Sequence, residues 1–136
     1  MKMYFIIIVI IFALFVLACS QSTDSNEDSQ TLKEIYGTWV MMEYEDNVNI
    51  LNKSVKLDDN QYGFIIHSNG RFIERKNVGW CGTPPICYKN YEGAWKKLSD
   101  SLLKINVGYW GGTTSYQMEI VSLSSHELKI LYHYDE

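Results

Sequence analysis

Cysteine, histidine and proline are scarce in this chain of 136 residues, which holds three, three and two of them. His67, His126 and His133 lie in separate segments with no acid cluster beside them. A zinc site or a histidine-centred catalytic site would therefore lack ligands or partners. Asp58 and Asp59 precede "NQYG", which reads as a turn and supplies too few oxygens for calcium. No Gly-rich phosphate loop, His-Glu-x-x-His pattern or Gly-x-Ser-x-Gly elbow occurs. The expectation is a protein that is not an enzyme and carries no cofactor or metal. Basic charge is not massed either: from Thr31 onward, 11 Lys and Arg face 13 Asp and Glu. That balance, without a basic run, excludes a nucleic-acid partner and an electrostatic membrane patch. Helical periodicity is nearly absent. Only "TLKEIY" before Gly37 suggests a helical turn, with Thr31 as its N-cap.

One long apolar run is present, from Met3 to Leu17 behind Lys2. It is shorter than the roughly 18 residues of a comfortable membrane span, and it fits the charged start and apolar middle of a secretory signal. The run ends in "VLAC", Val16 to Cys19, which resembles the lipobox of bacterial lipoproteins. The resemblance implies removal of residues 1–18 and acylation of Cys19. More than one acyl chain on that residue would satisfy what stable anchoring requires. The expected partner is thus a membrane, reached through the N-terminal lipid, and the expected place is the bacterial cell envelope, at the outer membrane rather than the inner one. Ser20 to Gln30 has no aromatic or branched aliphatic residue and carries Asp24, Glu27 and Asp28. Such a stretch cannot offset its ordering entropy by burial, so residues 19–30 read as the lipidated cysteine and a flexible tether. Residues 31–136 are enough for one small domain.

With Cys19 committed to lipid, Cys81 and Cys87 remain, with five residues between them that include consecutive Pro84 and Pro85. An oxidising envelope favours a disulfide between them, and the spacing does not match a Cys-x-x-Cys redox pair. The reading is a structural staple at a hairpin tip, with Gly82 permitting the turn and the prolines stiffening it.

Along the rest of the chain the period is two. Strands are expected at Thr38–Glu45, Tyr62–Ser68, Arg71–Asn77, Tyr91–Leu98, Leu102–Gly108, Thr114–Leu123 and Glu127–Asp135, all rich in aromatic and branched residues. An eighth is expected within Asn52–Asp58. The short polar turns "SNG", "LSDS" and "SSH" make consecutive strands antiparallel neighbours. Alternation puts Leu128, Ile130, Tyr132 and Tyr134 on one face, and Tyr116, Met118 and Ile120 on another. The fold class is all-β: an antiparallel up-and-down meander of seven to eight strands that closes as a barrel or folds into a sandwich.

Gly-x-Trp occurs twice, as "YGTW" at Gly37 and Trp39 and as "EGAW" at Gly93 and Trp95, each followed by a hairpin unit. A helical turn followed by Gly-x-Trp at the first strand resembles the lipocalins. The order "LKEIYGTW", "SNGRF", "YEGAW", "ELKILY" is similar to the small lipocalin-like domains of bacterial envelope lipoproteins. This resemblance implies a calycin-type barrel with a cup for a small apolar ligand. It places Trp39, Phe64, Trp95, Tyr116, Met118 and Tyr132 inside, with Trp80 and Trp110 at the mouth. Lipocalins lay a basic side chain across the first-strand Trp, and Lys129 is the residue expected here in that role. They also run longer and end in a helix, whereas this chain ends in a strand.

Tyr109 and Trp110 precede Gly111–Gly112 at a hairpin end, and Trp80 and Tyr88 flank the cysteine loop. If both hairpin ends share a rim, these four rings surround an opening. Two functions follow. One is a lipid-anchored lipocalin-like cup for a small apolar molecule. The other is a filled barrel acting as a protein-interaction, inhibitor or structural module of the envelope, its protein partner unknown. An open or a filled interior separates them.

Overall fold

The computed structural model describes residues 33–79 and 86–134. The chain forms eight strands: β1 (Gly37–Glu45), β2 (Val48–Ser54), β3 (Gly63–Ile66), β4 (Arg71–Asn77), β5 (Tyr88–Ser99), β6 (Leu102–Tyr109), β7 (Gly112–Leu123) and β8 (Glu127–Tyr134). All pairs are antiparallel and the sheet closes into a barrel in the order β1-β2-β8-β7-β6-β5-β4-β3. From β3 to β8 each strand pairs with its neighbour in sequence, as the short turns dictate. The β1–β2 hairpin completes the wall between β3 and β8.

The eighth strand lies earlier than the expected Asn52–Asp58. Asp46 and Asn47 both have positive φ, 49° and 67°, so a two-residue turn leads from β1 straight into β2. A turn with φ > 0 at both positions matches the strand twist, and short polar side chains tolerate that region best. Alternation in "VNILNKS" was hidden because Asn49 occupies an inward position, 8% exposed, beside fully buried Leu51.

β3 is short and pairs only with Gly37–Val40 of β1. Among the described residues, β1 above Val40 has no strand on that side; Tyr62 stands there, its carbonyl accepting the Met41 N–H at 2.8 Å. The register sorts the turns into two ends. A helical turn at residues 33–35 lies with the β3–β4, β5–β6 and β7–β8 turns at one end. The β1–β2 and β6–β7 turns, the end of β4 and the end of β8 lie at the other.

The helical-turn end is closed. Ile35 and Trp39 are fully buried there with Ile66, Leu103 and Leu128. The Trp39 indole N–H donates to the Ile35 carbonyl at 2.8 Å. The cation over its ring is Lys53, not Lys129: the Lys53 ammonium sits 4.5 Å from the ring centroid and donates to the carbonyls of Glu34 and Tyr36 at 2.6 and 2.7 Å. Lys129 instead lies on the outer face near Glu127, 3.5 Å away. β2 runs beside β1, so Lys53 pairs directly with Trp39, whereas β8 is one strand further round. Gly37 has φ +125°, and an added Cβ there would lie 3.1 Å from the Lys53 stem. At Gly93 a Cβ would lie 2.4 Å from the Asn106 carbonyl oxygen, so only glycine lets β5 and β6 approach this closely. Both glycines of the Gly-x-Trp pairs therefore answer to packing.

The barrel closes and fills its core from residues 35 to 130, so this stretch carries its own folding unit.

Candidate functional site

The open end of the barrel holds a cavity of about 570 Å³. It lies within the range of small-molecule sites. Its lining comes from Met41, Tyr44, Asn47 and Asn49 on the β1–β2 hairpin, Glu74 and Lys76 on β4, Thr114 and Tyr116 on β7, and Leu131, Tyr132 and Tyr134 on β8, with Tyr62 ahead of β3. Period-two geometry explains the β4 contribution: Phe72, Glu74 and Lys76 share the inward face, from the dry core up to the rim.

The floor of this cavity is polar. Glu74 is only 4% exposed. Its Oε1 accepts the hydroxyls of Tyr62 and Tyr116 at 2.8 and 2.9 Å, and its Oε2 accepts the Lys76 ammonium at 2.6 Å. Tyr132 lies 2.7 Å from the Tyr62 hydroxyl. Because a carboxylate can only accept, the single Tyr62 proton goes to Glu74, and Tyr132 donates to Tyr62. Burial pushes the Tyr62, Tyr116 and Tyr132 phenols far above the ordinary tyrosine range, and the Glu74 charge pushes the same way. Tyr134 is raised as well, again first by burial and then by Glu74. These phenols stay protonated at neutral pH; Tyr62 and Tyr116 donate to the carboxylate itself, and Tyr132 donates to Tyr62.

The rings are arranged edge to face. Tyr116 and Tyr132 meet at 5.3 Å and 89°, and Tyr62 and Tyr132 at 6.5 Å and 87°. Tyr134 leans against both Tyr116 and Tyr132, and Tyr44 stands over the rim with its hydroxyl donating to Asn47 at 3.0 Å. The Lys76 ammonium also lies 5.5 Å from the Tyr91 ring centroid.

Of the residues expected to form the cup, Tyr116 and Tyr132 line this cavity. Trp39, Phe64 and Met118 are fully buried below it and pack the core. Trp95 belongs to the closed end, where its indole N–H donates to the His67 carbonyl at 2.8 Å and its ring meets Tyr36 at 6.0 Å. Trp110 stands at the open rim, 63% exposed, edge-on to Tyr109. Its indole lies against Gly79, so the ends of the β4–β5 and β6–β7 hairpins are neighbours. A second, shallower hollow is bordered there by Lys76, Asn77, Tyr109, Trp110, Thr113 and Thr114. Trp80 lies outside the described residues, as do Cys19 and Cys81, so the lipidation and staple readings fall beyond them. Cys87 is exposed, and its carbonyl accepts the Val78 N–H at 2.9 Å, which pairs the two ends of the loop.

Sequence reasoning missed Glu74, Lys76 and Tyr62. The signal for the first two was an acid and a base on the Phe72 face of "RFIERKN". Tyr62 gave none, since it precedes its strand. The histidines are dispersed: His67 at the closed end, His126 exposed in the β7–β8 turn, and His133 outside, 2.7 Å from Glu119. Among the described residues no three His, Cys, Asp or Glu side chains converge as a metal site. Comparison with protein families, curated proteins and solved structures finds no match for this chain.

Proposed function

We propose that this protein is a lipid-anchored envelope lipoprotein whose lipocalin-like barrel binds a small molecule in the tyrosine-walled cavity at its open end. The observation that carries the reading is the cavity itself: about 570 Å³, walled by five tyrosines and floored by a hydrogen-bonded carboxylate. Apolar walls with a few fixed polar groups are what small-molecule sites share. An entirely apolar ligand suits the walls but not the floor, so the ligand has an apolar body and one polar end. The helical turn next to the tether lies at the closed end, so an anchor at Cys19 would hold the barrel with its mouth away from the bilayer.

The test uses the chain from Ser20 on, without leader or lipidated cysteine. A small aromatic compound titrated into it should change tyrosine fluorescence and bind with a negative heat-capacity change, as burial of apolar surface requires. Replacing Tyr132 with Ala should weaken that binding, whereas replacing Trp95 at the closed end should not. Equal effects from both would defeat the reading.

The interaction-module reading keeps one specific support, the exposed Tyr109–Trp110 pair beside Gly79 at the open rim. It predicts that Trp110→Ala abolishes capture of an envelope protein while leaving small-molecule binding intact.

A further inference from the structure

Resting on the reading of the cup as a ligand site, we propose that its ligand carries a positively charged amine, which takes the Glu74 carboxylate in place of Lys76. The argument begins with where the protons point. The hydroxyl protons of Tyr62 and Tyr116 are committed to Glu74, and that of Tyr132 to Tyr62. What those side chains leave for a ligand is oxygen lone pairs and ring faces, both of which attract positive charge. An anion would meet a carboxylate that is 4% exposed. A neutral body would bury the Glu74–Lys76 pair beneath it, and covering an ion pair costs desolvation that nothing repays. An ammonium group exchanges one ion pair for another and leaves the buried carboxylate paired.

Lys76 is placed to give way. It holds Glu74 at 2.6 Å, but its side chain is 21% exposed and borders both the cup and the hollow beside Trp110. The Tyr91 ring, 5.5 Å from its ammonium, offers that charge a second partner. Lys76 is thus a tethered occupant of the place a ligand amine would take.

Three probes with one aromatic body separate the possibilities: 2-phenylethylammonium, 2-phenylethanol and 3-phenylpropionate, each titrated calorimetrically into the chain from Ser20 on. The ammonium should bind about tenfold tighter than the alcohol, with the carboxylate weakest. Glu74→Gln should erase that order. Lys76→Met, which removes the internal competitor, should tighten the ammonium about fivefold or more, and 2-phenylethylammonium should raise the melting temperature of this variant further than that of the parent chain. The Lys76→Met arm stands by itself if Glu74→Gln does not fold. Equal binding of alcohol and ammonium overturns the cationic ligand and leaves the cup intact. Tightest binding by the carboxylate, or ammonium binding weakened by Lys76→Met, reverses the sign of the ligand and overturns the proposal too. Failure of all three probes to bind overturns both the proposal and the cup.

Discussion

The two ends of the barrel solve opposite problems with similar residues. At the closed end an aromatic side chain, Trp39, is wholly buried and its one polar atom is satisfied by the local Ile35 carbonyl. A single cation, Lys53, lies over the ring and ties down the helical turn. Burial holds the Lys53 ammonium below the ordinary lysine range, against the pull of Glu34. At the open end several aromatics stand around a space instead of filling it. Their polar atoms converge on one carboxylate, which Tyr62 and Tyr116 reach directly from distant parts of the chain and Tyr132 reaches through Tyr62. A plug is made from one large ring and local partners. A cup is made from rings held apart by a shared polar centre.

The largest effect should come from breaking the plug. Trp39→Ala should cost about 3–5 kcal/mol, the range for truncating a buried aromatic, read as a fall in the denaturation midpoint. If the loss were under 1 kcal/mol by the same measure, the closed end would not be the packed one.

Alkaline titration separates the ends next. The phenols of Tyr62, Tyr116 and Tyr132 are raised above 10.0 in the fold, while the unfolded chain releases those protons near that value. Their contribution is therefore complete below about pH 10 and is lost as pH rises beyond it, by about 1.4 kcal/mol per pH unit for each phenol still protonated in the fold. Tyrosine absorbance should show these groups ionising only as the barrel unfolds. Ionisation well before unfolding would mean that the polar floor is wet.

Lys53→Met keeps the stem but removes the charge and two hydrogen bonds to carbonyls. The expected cost is about 1–3 kcal/mol, with no change in probe binding at the far end. Coupled loss of binding would show that the ends are not independent. The smallest effect should be Trp110→Ala: a change within about 0.5 kcal/mol in thermal stability, since its exposed ring supports little of the core.

The sequence's own chemistry settled the class of fold. Period-two alternation, the absence of helical periodicity and turns of two to four polar residues leave few alternatives to an antiparallel sheet, because each short turn makes neighbours of the strands it joins. Arg71–Asn77 is a strand with the bounds its alternation shows, and Trp39 is a core residue as its size and place imply. The same local rules could not order the wall. A positive φ at Asp46 and Asn47 started β2 early, and the β1–β2 hairpin entered between β3 and β8. That arrangement chose Lys53 over Lys129 as the cover for Trp39. The cup was further still from local reading. Tyr62 and Tyr132 share a hydrogen bond across 70 positions of sequence, and Tyr116 reaches Glu74 across 42. Alternation tells which side of a strand a residue takes, but only closure of the sheet sets its height and the partners across the barrel. An inward glutamate in "RFIERKN" has only its strand neighbour Lys76 to pair with until phenols from elsewhere in the chain surround it, and that decision belongs to the tertiary structure.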